Sequence, residues 1–166
     1  MTSPLPLSLS VQYQTPCPEL PRWRIRRWIE SALKGLHAYE GTRHNARREF
    51  PAPAALDLTV RLADADEAQY LNREFRGRDY PTNVLTFEYG ADPDGMWHAD
   101  IVLCVPVIER EAAEQGKPFL QHAAHLCVHG TLHALGYDHV DDQDAAIMEA
   151  IEVAVLARMK IPNPYL

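Results

Sequence analysis

Residues 129–139, HGTLHALGYDH, set three histidines around a glycine within eleven positions, and no other stretch constrains the chain as strongly. On an α-helix each residue advances ~100°, so His129 and His133 lie about 40° apart on one face, a turn from each other. A helix continued to His139 would carry that ring ~9 Å beyond His133 and off the face. Gly136 resolves the conflict, because glycine readily takes the left-handed backbone that ends a helix, and a reversal there returns His139 toward the pair. Three imidazoles with a fourth position left to water form the donor set of a catalytic zinc site, whereas structural sites are usually closed by four ligands, often cysteines. The expectation is one Zn2+ held by His129, His133 and His139, on a central helix and the turn after it. His125 shares the face of His129, but it lies about 12 Å along the axis from His133, too far for the two to grip one ion. It is expected to support a ligand or pack in the core, since ligating imidazoles need a partner for their other nitrogen. His37, His44, His98 and His122 have no recurring partner and are assigned to surface or packing.

The same eleven residues match the long zinc-protease signature H-E-x-x-H-x-x-G-x-x-H at all three histidines and the glycine. They depart from it at Gly130, which stands where those proteases keep their glutamate base. Metal geometry survives the change; peptide hydrolysis loses its usual base.

Around this motif the chain has the make-up of one ordinary globular domain spanning 1–166: 46% hydrophobic and 23% charged residues. No run approaches the ~18 apolar residues of a membrane span. The N-terminal MTSPLPLSLSVQYQ has no basic residue ahead of an apolar run, unlike a signal peptide. A cytoplasmic location and no membrane partner follow as expectations. Cys17, Cys104 and Cys127 are odd in number and lack a C-x-x-C spacing, which argues against a disulfide framework and for small buried apolar residues. The net charge of −7 is unevenly spread: residues 22–78 hold twelve of the sixteen basic side chains and eight of the twenty-three acidic ones. That segment is +4 and the remainder −11, so a local basic face for a polyanion is compatible with the acidic whole, as is a set of solvated helix faces.

Periodicity orders the elements. Residues 7–13, 56–64, 82–89 and 99–105 alternate or are rich in β-branched and aromatic residues, as strands are. Residues 90–97, GADPDGMW, fit a long hairpin loop. Helical spacing covers 21–36, 64–75, 106–115, 119–135 and 141–160, with 41–54 a polar, proline-bearing connection. The fold class expected is α+β: one domain, with about four strands in a mixed sheet packed against about five helices.

The motif, together with LNREFRGRDYPTNVLTF (71–87), ADIVLCV (99–105) and EQGKPF (114–119), resembles YbeY, the bacterial metal-dependent endoribonuclease family of rRNA maturation. The likeness covers roughly residues 56–165; residues 1–55 resemble the family only in layout. It implies a zinc-bound α+β fold and cleavage of single-stranded RNA, with roles in 16S rRNA 3′-end maturation and ribosome quality control, and with the ribosome or its proteins as further partners. Carried over by position, His129, His133 and His139 match the metal ligands, and Arg76 matches a functionally required arginine. Ala99 stands where the family usually has glycine, which would alter the local strand bend.

Arg76 also has a physical rationale of its own. Phosphodiester cleavage builds negative charge on non-bridging oxygens, and a planar guanidinium can meet two of them at once. A surface ion pair with Glu74 or Asp79 is the plainer alternative. A metal-bound water has its pKa lowered toward ~7 and needs little help from a side-chain base, which suits the missing glutamate. Asp138, beside a ligand, would either orient it or accept a proton, or else cap the last helix. Asp79, Pro81, Thr82 and Asn83 make a tight polar entry to a strand, and their expected task is to aim Arg76 across the pocket. The function expected is a zinc-dependent endoribonuclease; a zinc peptidase and a non-catalytic ribosome-assembly factor with a structural metal are the alternatives.

Overall fold

The computed structural model describes residues 4–42, 53–138 and 141–166. His44 and His139 lie outside the described residues. The elements in chain order are β1 (Leu7–Tyr13), α1 (Arg22–Thr42), β2 (Ala55–Ala63), α2 (Ala65–Arg76), β3 (Val84–Ala91), β4 (Met96–Cys104), α3 (Val105–Glu114), α4 (Phe119–Ala134) and α5 (Asp142–Arg158). The strands form one sheet in the order β1-β2-β4-β3, with β1, β2 and β4 parallel and β3 antiparallel to β4. This is the α+β arrangement expected, a four-stranded mixed sheet with five helices.

Strict alternation in β2 sends Leu56, Leu58, Val60 and Leu62 to one face, where they are fully buried with Ile101 and Leu103 of β4. In one core with that face are Ile25, Ile29, Ala32 and Leu33 of α1 and Ala124, Val128 and Leu132 of α4, with Met148, Ile151 and Val155 of α5, a helix that packs on α1 and α4. The opposite face carries a smaller cluster of Ala63, Leu85 and Val102 under Leu71 of α2 and Phe87. Helix α4 therefore lies in the main core, buried against the sheet over most of its length, which explains why its sequence reads as nearly apolar apart from the histidines.

Gly130 shows how close that packing is. A Cβ built there would sit 3.1 Å from two side-chain carbons of Ile101 on β4. A glutamate at this position would be driven into the sheet, so the absent protease base is a consequence of how this helix meets its strand.

Two boundaries differ from expectation. β3 and β4 extend to Ala91 and back from Met96, so the long loop expected over 90–97 shrinks to a tight turn. Asp92 builds that turn: its Oδ1 accepts from the amides of Asp94 (2.9 Å) and Met96 (3.0 Å), and Gly95 takes φ +82°. The first helix also runs on to Thr42, beyond the expected end at 36. At Ala99 β4 is unbroken and the residue is buried; the irregularity in pairing falls on β3, between Glu88 and Gly90.

Candidate metal centre

Helix α4 ends as the glycine predicts. Gly136 has φ +91°, its amide donates to the carbonyl of His133 (3.0 Å), and the Tyr137 amide donates to that of Leu132 (3.0 Å). These two bonds are the paired closure of a Schellman motif, which satisfies the last carbonyls and turns the chain. The turn brings Asp138 back to the wall of the groove that His129 and His133 line.

The Nε2 atoms of His129 and His133 are 3.0 Å apart. Two nitrogens bound at ~2.05 Å to one ion with tetrahedral angles would stand about 3.3 Å apart, so the pair fits a shared ion. His129 is held from behind by Glu152 of α5, whose Oε1 accepts from its Nδ1. Glu152 has no solvent exposure. Its Oε2 accepts from the hydroxyl of Tyr165 and lies 3.3 Å from His125 Nε2. Burial pushes the Glu152 carboxyl up, but hydrogen bonds from His125, His129 and Tyr165 outweigh it and hold it down at about 2. The Tyr165 hydroxyl is pushed up, first by desolvation and then by Glu152. His125, His129 and Glu152 thus bring ligand-capable atoms within 4.8 Å of one another, a second donor cluster on the inner side of His129.

The groove has a volume of about 460 Å³. Arg76, Arg78, Tyr80, Glu88 and Asp138 line it together with His129 and His133. Arg76 is the last residue of α2, which Asp64 caps by accepting from the Glu67 amide (2.9 Å) and which Gly77 terminates at φ +69°. The Arg76 guanidinium lies 5.0 Å over the Phe87 ring, and Nη2 donates to the Thr86 carbonyl at 2.6 Å. The ion pairs considered for Arg76 fall to its neighbour instead: Arg73 lies 3.4 Å from Glu74 and 3.8 Å from Asp79. Asp138 does not cap the last helix; Asp141 does, accepting from the Asp144 amide at 2.8 Å. Glu88 is pushed up by burial and then by Asp138.

The polar entry to β3 is anchored on two sides. Buried Asn72 of α2 donates to the Tyr80 carbonyl (2.8 Å), and Asn83 donates to Glu111 of α3 (2.9 Å) while its own Oδ1 accepts from the Val84 amide (2.7 Å). Glu111 in turn meets buried His122 at 3.0 Å. Sequence reasoning gave His125 as a support for a ligand or a core residue and did not name Glu152, whose carboxylate lies between His125 and His129. The signal was present: Glu152 falls on the stripe of Met148, Ile151, Val155 and Leu156, where an acid is buried, not solvated.

The sequence matches the family described as Endoribonuclease YbeY over residues 11–160. A Bordetella pertussis protein named Endoribonuclease YbeY is 58% identical over 160 residues, covering 96% of this chain and 96% of its own. One of the same name from Thiobacillus denitrificans is 49% identical over 160 residues, again covering 96% of each. The solution structure of TM1509 from Thermotoga maritima shares the fold, with a TM-score of 0.51 at 22% identity over 91% of this chain and 92% of that one. The likeness therefore reaches well into the N-terminal third, beyond the residues whose motifs suggested it. With a match of this extent, the chain belongs to the endoribonuclease YbeY family.

Proposed function

We propose that residues 1–166 act as one hydrolase domain, a zinc-dependent endoribonuclease that cuts single-stranded RNA in 16S rRNA 3′-end maturation and ribosome quality control. One observation carries the metal part: the Nε2 atoms of His129 and His133 converge at 3.0 Å on a groove that Arg76 also lines. Family membership supports RNA as the substrate class, and the ribosomal setting rests on the resemblance carried by the sequence motifs. His129, His133 and His139 would hold one Zn2+. Bound there, the ion would supply an activated water and Lewis acidity toward the phosphoryl oxygens.

The protein's own groups do the rest. His129 meets buried Glu152 through Nδ1 and turns Nε2 toward the groove. Arg76, held over Phe87 at the groove wall, exchanges its bond to the Thr86 carbonyl for non-bridging phosphate oxygens and stabilises the charge that builds there. Arg78 adds a second positive charge along the groove. Asp138 stands on the same wall, placed to orient a ligand or accept a proton. No helix among the described residues is long and apolar enough to cross a membrane. All three cysteines are free and buried, which suits the reducing cytoplasm proposed as its compartment. Partners beyond RNA would be the ribosome or its proteins.

Gly130 packed on Ile101 stands against the peptidase alternative. The test offers the purified protein an rRNA fragment and an unstructured polypeptide, with and without a chelator. RNA cleavage that the chelator stops supports the proposal. Cleavage of the polypeptide, or a wild-type protein that binds zinc yet never cuts RNA, overturns it in favour of a peptidase or a structural metal.

A further inference from the structure

Glu152 is a fully buried carboxylate with both oxygens engaged. Burying such a charge is costly unless every lone pair it presents is met, and the groups that meet it come from separate parts of the chain. His125 and His129 stand one turn apart on α4, Glu152 sits on α5, and Tyr165 lies beyond α5. Tyr165 is itself fixed. Its amide donates to Asn163 Oδ1 at 2.8 Å, and its ring meets that of His125 edge-on, with centroids 5.5 Å apart and planes at 83°. Although the residue is 44% exposed, its hydroxyl points inward to Glu152.

We propose that Glu152 and Tyr165 are positioning residues for the metal centre: Tyr165 and His125 fix the Glu152 carboxylate, which holds the Nδ1 side of His129 so that its Nε2 faces the ion. A hydrogen bond to one imidazole nitrogen fixes the tautomer and leaves the lone pair on the other, and it also sets the plane of the ring. Here the effect passes from the segment after α5, through a buried carboxylate, to the inner nitrogen of a ring on α4 whose other nitrogen faces the groove. Neither Glu152 nor Tyr165 is among the residues that line the groove, so their proposed effect runs through His129. The inference rests on the zinc site of the proposed function. It assigns the cluster of His125, His129 and Glu152 to orientation of one ligand, not to a second ion.

The test is equilibrium zinc binding to the metal-free protein by competition with a chromophoric chelator, for wild type, Glu152→Gln, Tyr165→Phe and the double variant. Loss of such a partner typically weakens metal binding by about 10–100-fold, and that loss is expected for Glu152→Gln with one zinc per chain retained. Tyr165→Phe should weaken binding less, and the double variant should bind no more weakly than Glu152→Gln alone, because both changes act on one linkage. The visible spectrum of the cobalt(II) form should shift in both single variants. Should Glu152→Gln fail to fold, Tyr165→Phe decides alone.

Tyr165→Phe with wild-type affinity and an unchanged cobalt spectrum overturns the proposal, even if the metal-free protein melts lower, since that is the mark of a merely structural contact. A Glu152→Gln protein that loses zinc stoichiometry altogether also overturns it and makes Glu152 a ligand. Wild type that binds no zinc overturns the underlying metal site, a failure distinct from variants that bind as wild type does.

Discussion

His129 and His98 are both gripped by carboxylates, yet the two regions are built for opposite ends. At His98 on β4, Nδ1 lies 2.9 Å from Asp57 on β2 and Nε2 lies 3.0 Å from Asp92 in the hairpin turn. Both nitrogens lie against acids, so the ring is a strut joining strand and turn, with each nitrogen already engaged. At His129 a single carboxylate takes Nδ1 and the other nitrogen faces His133 and the groove. The Glu152 carboxylate is buried, whereas Asp57 and Asp92 side chains keep 40% and 31% of their exposure. His129 turns one nitrogen toward the groove, whereas both nitrogens of His98 meet carboxylates.

Substitutions at the two histidines should separate them most. His129→Ala or His133→Ala should reduce zinc content and RNA cleavage to background together, measured on the same preparation. His98→Gln should leave zinc content unchanged. A zinc loss at His98 equal to that at His129 would break the comparison.

Arg76→Ala should come next. Removing one group that meets developing charge costs about 10²–10³ in kcat, and zinc content should stay at the wild-type level. Undiminished cleavage would remove the guanidinium from the chemistry.

Gly130→Ala tests why the α4 histidines stand where they do. Its Cβ would press on Ile101 at 3.1 Å, an overpacking expected to cost about 1–3 kcal/mol of stability by denaturant unfolding. A neutral substitution would mean that α4 and β4 can part without penalty.

The smallest effect belongs to His98 and is read in pH. Asp92 first and Asp57 second raise its pKa above the ordinary 6.5. A raised value in the folded state contributes stability that is fully present below pH 6.5 and fades as pH rises through the folded value. Asp92, lowered mainly by its hydrogen bond to His98, contributes in the opposite sense, lost as pH falls through its own folded value. Denaturation midpoints of wild type should therefore decline on the alkaline side of pH 6.5, and His98→Gln should flatten that decline.

How much of this was legible in the sequence depended on whether a signal was local. Strand alternation in residues 56–63 and the helix-ending Gly136 reflect backbone rules that act over a few residues, and both were read directly. The number of strands and helices followed from counting such elements, whereas the order β1-β2-β4-β3 is set by tertiary pairing. The His98 clamp joins residues 41 and 6 positions apart, and Glu152 reaches His129 across 23. No spacing rule announces pairings that only tertiary packing creates. Arg76 could be singled out by charge chemistry and family likeness, but its seat over Phe87 and its bond to the Thr86 carbonyl depend on β3 lying beside the end of α2. The hairpin loop is shorter than its composition suggests because the residues flanking Asp92, Pro93, Asp94 and Gly95 join the strands.

The most direct measurement is anomalous diffraction at the zinc edge from crystals of the zinc-loaded protein. The account predicts one peak, bonded to Nε2 of His129, Nε2 of His133 and the ring of His139. A peak instead among His125 Nε2, His129 Nδ1 and Glu152, on the inner side of the same imidazole, would contradict it.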